Sequence, residues 1–188
     1  MSEQWNFVDL KLAEMRLNKI KKYIPKDSIV LDVGCEYHYK LLKQLRDYIK
    51  KGYGIDFTVS EKEEKKITLF SQDISKDKFP IKDNSVDIVI NLAVIKHLIS
   101  PTTMLSEIYR VLNSSGILLL TTPTPPSKPI LEFCCHAGIF KNKDALDHKI
   151  YYSKNMLVEI LKKHNFNIIK HPYFQFGLNQ FIVAKPTK

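Results

Sequence analysis

The tightest constraint on how this chain can fold lies between Ser28 and Tyr39, in the stretch SIVLDVGCEYHY. A short apolar run, Ile29, Val30 and Leu31, enters an acidic residue, Asp32, and then a turn opened by Gly34. A helical pattern begins at about Lys40. This order reads as strand, sharp loop and helix, and in open α/β sheets ligands settle where such a loop leaves the carboxyl end of a strand. Asp32 and Gly34 therefore mark a candidate ligand loop. Glu36, Tyr37 and His38 stand where a close cradle for a phosphate or nucleoside favours glycine, which lets backbone approach a ligand.

The alternation continues along the chain. Leu10, Leu12, Met15, Leu17 and Ile20 fall near a helical period, so a helix is expected from Val8 to Tyr23, closed by Pro25. After the strand Ile29 to Val33 come a helix from Lys40 to Ile49 and a strand from Tyr53 to Phe57. The charge run Glu61 to Lys66 reads as an exposed turn or short helix, and Ile67 to Phe70 as a further strand. Val86 to Asn91 is a strong strand, Pro101 to Leu112 a helix, NSSG a turn and Ile117 to Thr121 a buried strand.

The proline-rich TPTPPSKP interrupts this pattern, and Ile130 to Phe140 is either a helix packed on the domain or a lid over the carboxyl edge. Ser153 is placed to cap a helix reaching about His164, and Phe166 to Phe174 with Leu178 to Ala184, around Gly177, read as an antiparallel hairpin. Alternating strands and helices call for crossover connections. The expected fold class is therefore α/β, a mostly parallel sheet with an antiparallel C-terminal hairpin and helices on both faces. At 188 residues the chain fits one domain over 1–188, with its N-terminal helix within 1–27 and a cover or lid at 124–152.

The formal net charge of +9 raises nucleic acid, a phosphorylated substrate or an anionic membrane surface as partners. The lysines are spread along the chain, with one modest cluster at Lys19, Lys21, Lys22 and Lys26, so a solvated basic surface is the simpler reading and nucleic acid the weaker one. No run approaches the roughly 18 apolar residues of a membrane span, and the N-terminus lacks the pattern of a signal peptide. A cytoplasmic protein is expected. Cys35, Cys134 and Cys135 offer no C-x-x-C spacing, so reduced thiols are expected rather than disulfides or a zinc site.

Three acidic residues recur at strand ends: Asp32, Asp56 and Asp73. A carboxylate ending the second strand, about 20 residues past a glycine loop, is placed to accept hydrogen bonds from a ribose diol. Asp56 lies in that window, while Asp73 could meet the amino group of a base as Ile74 packs on its ring. His97, just past the fourth strand, is either structural or a base at the carboxyl edge. The other histidines, His38, His136, His148, His164 and His171, share no metal-binding spacing, so no metal site is expected.

VLDVGC, GID, QDI, FPIKDNSVDIVINLAVIKHL and EIYRVLNSSGILLLTTP, in that order and spacing, resemble the class I S-adenosylmethionine-dependent methyltransferases, in particular their small-molecule, ubiquinone-biosynthesis-like branch. The resemblance runs from Ile29 to Pro123 and implies a Rossmann-like, seven-stranded sheet whose last strand is antiparallel. It places Asp32, Gly34, Cys35 and Glu36 in the loop under the methionine part of S-adenosylmethionine and Asp56 on the ribose hydroxyls. Asp73 and Ile74 fall at adenine, Asn91 and Leu92 along the cofactor, and His97 on a histidine common in that branch.

The implied activity is methyl transfer to a small-molecule or glycan-type acceptor, with Tyr151, Tyr152 and His148 as candidate lining of the acceptor site. The chain departs from the family's G-x-G-x-G loop by keeping only Gly34. That departure keeps a second reading open, a non-catalytic methyltransferase-like partner or regulatory module, and an RNA methyltransferase ranks behind both. The oligomeric state is left open.

Overall fold

The computed structural model describes residues 7–139 and 148–188. Its elements in order are α1 (Phe7–Lys21), β1 (Ile29–Val33), α2 (Lys40–Leu45), β2 (Lys51–Asp56), β3 (Lys62–Glu64) and β4 (Ile67–Ser71), followed by β5 (Val86–Leu92), a 3₁₀ turn (Ile95–His97) and α3 (Thr102–Val111). The chain then forms β6 (Leu112–Pro123), α4 (Ser127–His136), α5 (Lys154–Lys163), β7 (Phe166–Lys170), β8 (Tyr173–Phe174) and β9 (Asn179–Pro186).

One sheet takes the strands in the order β3-β4-β2-β1-β5-β6-β9-β7, with the short β8 also on β9. Neighbours from β4 to β6 are parallel, whereas β3 on β4 and the β6, β9 and β7 group are antiparallel. Apart from the short β3 and β8, this is the expected mostly parallel sheet with its antiparallel C-terminal hairpin. The strand order reverses at β1, which has β2 on one side and β5 on the other, and that reversal opens a crevice at the carboxyl edge.

Both faces of the sheet are covered, and the period of two along each strand assigns the side chains. Leu31 and Val33 of β1, Val89 of β5, and Leu118 and Leu120 of β6 join Leu105 and Ile108 of α3 and Leu157 and Leu161 of α5 in one core. Val30, Ile88, Ile90 and Leu119 point the other way and meet Ile20 of α1 with Leu42 and Leu45 of α2. Burial on both sides explains why these strands read as continuous apolar runs.

Two expectations change. The charge run Glu61 to Lys66 holds β3, an antiparallel edge strand rather than a turn or helix, because Lys62 to Glu64 pairs with Leu69 to Ile67. Its charged side chains suit an edge, where they discourage pairing with another chain. The expected turn at NSSG is a bulge inside β6, whose partner on β5 jumps from Val86↔Leu112 to Ile88↔Ile117. Gly116 makes the bulge possible, since a Cβ there would lie 2.9 Å from the Asp87 carbonyl oxygen. Of the apolar stretch Ile130 to Phe140, α4 accounts for the part up to His136, and Phe140 lies outside the described residues.

Candidate active site

The loop after β1 is tied to the end of β2 by backbone. The Gly34 N–H donates to the Ile55 carbonyl at 2.8 Å and the Glu36 N–H to Asp56 Oδ2 at 3.0 Å. Gly34 has φ +80°, and a Cβ on it would fall 2.3 Å from Val94 Cγ2, so both conformation and space demand glycine. Val94 thereby closes the β5 side of the crevice onto the β1 loop. Sequence reasoning did not single out Val94 or its neighbour Ala93, which takes φ +60° after β5 without any local signal for it.

The loop solves its missing glycines by strain. Glu36 sits at φ +58° and Tyr39 at φ +35°, both left-handed. Glu36, Tyr37 and His38 are exposed, with the Tyr37 ring 64% accessible and edge-on to His38. The Tyr37 and His38 side chains stand largely in solvent, while the Glu36 carboxylate, though exposed, lies near enough to Asp32 to act on its charge.

Three carboxylates converge below the loop. Asp32 is buried at the end of β1, and desolvation, together with the negative charges of Glu36 and Asp56, pushes its pKa up to about 8. Burial likewise drives the Cys35 thiol far above its ordinary range, so it remains protonated. Asp56 is held by Thr58, whose N–H and hydroxyl donate to Oδ1 at 2.9 and 2.7 Å.

The same Asp-x-Ser/Thr turn recurs at Asp73, which accepts from the Ser75 N–H and hydroxyl at 2.9 and 2.6 Å. Those bonds, aided by Lys76, hold its pKa down to about 2. The sequence carries this signal at D-F-T and D-I-S, since Ser and Thr two residues on form local turns with Asp. The Gln72 N–H donates to the Asp56 carbonyl at 3.3 Å, which joins the Asp73 turn to the end of β2, and Ile74 is buried in the core.

On β5, Asn91 is fully buried and its Nδ2 donates to the Val33 carbonyl at 3.2 Å, linking β5 to β1. Asn91 Oδ1 is buried with no hydrogen-bond partner, a cost normally met by a ligand or water. Leu92 follows, half-buried, at the mouth of the crevice.

Past the end of β5 stands His97, which closes the 3₁₀ turn, with the His148 ring edge-on to it at 5.3 Å. His148 Nδ1 lies 2.8 Å from the Tyr151 hydroxyl. Burial, then Glu132 and Cys135 of α4, push the Tyr151 pKa up to about 12, so at neutral pH its O–H is a donor. Tyr152 is buried, and its carbonyl accepts from Gln180 Nε2 at 2.6 Å. The cluster therefore joins His97, His148 and Tyr151, while Tyr152 belongs to the core.

Two outcomes are expected from this geometry. A non-glycine residue in the left-handed region costs about 1–2 kcal/mol, and glycine gives back part of that gain through its freer unfolded chain. Glu36→Gly should therefore raise the unfolding free energy from urea titration by about 0.5–1 kcal/mol, and Glu36→Ala should not; an unchanged or lower value for the glycine variant rules the strain out. Asp32 supplies the second. Its folded pKa of about 8 lies above the ordinary 3.8, so the folded state binds the extra proton between these values. The stabilising contribution is complete below about 4 and is lost as pH rises to about 8. Urea titrations from pH 5 to 8 should show the wild type losing stability and Asp32→Asn losing less. Parallel slopes would refute it.

Against known proteins, the model of the family described as methyltransferase domain matches residues 5–171. A tRNA U34 carboxymethyltransferase of Helicobacter pylori (strain Shi470) is 32% identical over 124 residues, 58% of this chain and 46% of that protein. A Mycolicibacterium smegmatis protein described as a probable S-adenosylmethionine-dependent methyltransferase is 31% identical over 97 residues, 50% of this chain and 37% of that one. The chain thus spans less than half the length of these two curated relatives. Among solved structures, a chain of the complex between the Haloferax volcanii Trm112 methyltransferase activator and its candidate methyltransferase superposes with a TM-score of 0.71 at 18% identity, over 94% of this chain and 89% of that one. At such identity the likeness speaks for the fold. The match over residues 5–171, on a sheet that reverses at β1, makes this chain a member of the methyltransferase-domain family, the one its ordered motifs resemble.

Proposed function

We propose that the chain binds S-adenosylmethionine across the ends of β1, β2 and β5 and transfers its methyl group to a small-molecule or glycan-type acceptor. The observation that carries this reading is the convergence of Asp32, Glu36 and Asp56 at the crevice whose wall is Gly34 against Val94. Three acidic groups held close together repel, and a ligand bearing an ammonium and a sulfonium relieves that repulsion. The orphaned Asn91 Oδ1 and the cradle at Gly34, which a Cβ would fill, fit the same ligand.

The residue roles are those that the family resemblance implies. The backbone of Gly34 and Cys35 would pass under the methionine part, with Asp32 and Glu36 facing its ammonium. Asp56 already accepts from Glu36 and Thr58, yet a carboxylate has about four lone-pair sites, which leaves room for a ribose hydroxyl. Asp73 with Ile74 would meet adenine, and Asn91 and Leu92 would line the cofactor beyond β5. The cofactor supplies an activated methyl group, so the protein's task is to hold the acceptor atom in line with it. His97 is placed to take the acceptor's proton, with the imidazole of His148 and the Tyr151 hydroxyl behind it. The described parts of the segment 124–152, where α4 stands, would wall the acceptor side of a single domain over 1–188, and residues 140–147 lie outside the described residues. The protein's three free cysteines, Cys35, Cys134 and Cys135, support action in a reducing compartment such as the cytoplasm.

Titration calorimetry with S-adenosylmethionine tests this reading. Binding should be measurable, and Asp56→Ala should weaken it about tenfold to a hundredfold, the loss of a hydrogen bond to a charged group. No heat at millimolar ligand would sink the proposal and favour the partner-module reading.

A second reading is favoured by one relative, the Helicobacter pylori tRNA U34 carboxymethyltransferase, together with the net charge of +9. In it the acceptor is an RNA base. Filter binding at physiological salt should retain tRNA with an affinity that falls steeply as salt rises; no retention disposes of it.

A further inference from the structure

An apolar groove opens at the same edge of the sheet, beyond the ends of β6 and β9. Leu12 and Met15 of α1, Ile130 and Leu131 of α4, and Phe176 and Leu178 of the turn between β8 and β9 line it. Its position is set by backbone: β6 leaves the sheet at Pro123, opposite Asn179, and the Thr124 N–H donates to the Leu178 carbonyl at 3.0 Å. The groove therefore lies beside β6 and β9, and not within the crevice between β1 and β5. α4 connects the two regions. It lines the groove through Ile130 and Leu131, while Lys128, one turn before Leu131, lies 6.0 Å over the Tyr151 ring.

Two features mark the groove as more than an exposed apolar face. At its floor Asn179, only 9% exposed, donates from Nδ2 to Gln175 Oε1 at 2.7 Å, and Gln175 Nε2 in turn donates to the Leu12 carbonyl at 3.1 Å. Asn179 Oδ1 is left buried without a hydrogen-bond partner, an oxygen that awaits a donor in an otherwise apolar setting. The rim is strained as well. Gln175 and Phe176 take φ +50° and +57° ahead of Gly177 at +84°, two consecutive left-handed non-glycine residues, and Phe176 is fully exposed. Such strain persists where the surroundings over-determine it, and it gathers at ligand clamps.

We infer that this groove holds the apolar part of the methyl acceptor, a small molecule with an alkyl or aryl tail and a hydroxyl or N–H group that donates to Asn179 Oδ1. This deepens the methyltransferase reading and rests on it. A flat polar acceptor such as a sugar would leave the six apolar side chains unused, whereas an alkyl tail gains from each methylene it buries there. Phe176 is placed to fold over such a tail, which would remove its ring from water.

The test uses 4-hexylphenol, 4-hexylanisole and phenol as probes, titrated into the full chain by calorimetry, with S-adenosylmethionine titrated separately. The phenol with the tail should bind at least about tenfold more tightly than phenol, from the buried methylenes. It should also bind about tenfold more tightly than the anisole, which lacks the donor. Met15→Asp and Ile130→Asp, both at partly exposed positions, should each remove hexylphenol binding and leave cofactor binding intact. Phe133→Asp, on α4 but off the groove, should leave both unchanged. Cofactor binding without hexylphenol binding overturns this inference alone, as does hexylphenol binding that ignores Met15→Asp and Ile130→Asp. A dimer in sedimentation that Ile130→Asp dissociates gives the groove to a second copy of the chain and also overturns it. Loss of cofactor binding in the wild type removes the reading beneath it.

Discussion

The closeness of β1 to β5 is the constraint on which the rest of the site depends. Both strands run parallel through the centre of the sheet, and their ends meet where Gly34 faces Val94 with no room for a Cβ. Asn91 joins the same ends through the Val33 carbonyl. Because the strand order reverses here, the chain leaves β1 and β5 in opposite directions and a crevice opens between them. The remaining candidate residues are carried towards it by neighbouring elements: Asp56 by β2, Asp73 through its link to the Asp56 backbone, and His97 by the turn after β5.

Charge at that crevice is set against the protein's own stability. Asp32 is buried beside Glu36 and Asp56, and its raised pKa measures how poorly an ionised carboxylate fits there without a cationic partner. The Glu36 backbone takes a left-handed conformation that glycine would adopt without strain. Uncompensated burial and strain in one loop are the usual marks of a site shaped for a ligand rather than for folding. Asp73 shows the contrast. Its carboxylate is satisfied by Ser75 and Lys76 and titrates low, as a group at rest does.

Much of the architecture was legible because burial on both sides of a parallel sheet leaves a clear trace in sequence. The runs IVLDV, VDIVINL and GILLLTT are strands in the structure, and Ser153 caps α5 by accepting from the Met156 N–H at 3.3 Å. The errors fell where pairing with a neighbouring strand overrode the local pattern. β3 is a three-residue edge strand of charged side chains, and only its pairing with β4 makes it a strand. NSSG carries every turn signal, yet the fit of β6 onto β5 turns it into a bulge.

The sequence by itself determined the alternation of strand and helix, the order of the motifs and the acidic residues that end β1, β2 and the Gln72 to Asp73 loop, because these rest on periodicity and turn chemistry. The tertiary structure alone decided how the loop at Gly34 manages without further glycines. The φ of Glu36 is imposed by the N–H bond to Asp56, a residue on another strand. It likewise decided that His97, His148 and Tyr151 form one cluster, and that Asn179, which lines an apolar groove, keeps its Oδ1 buried without a partner. Such contacts join residues far apart in the chain, and no local pattern of residues encodes which distant surface a side chain will meet.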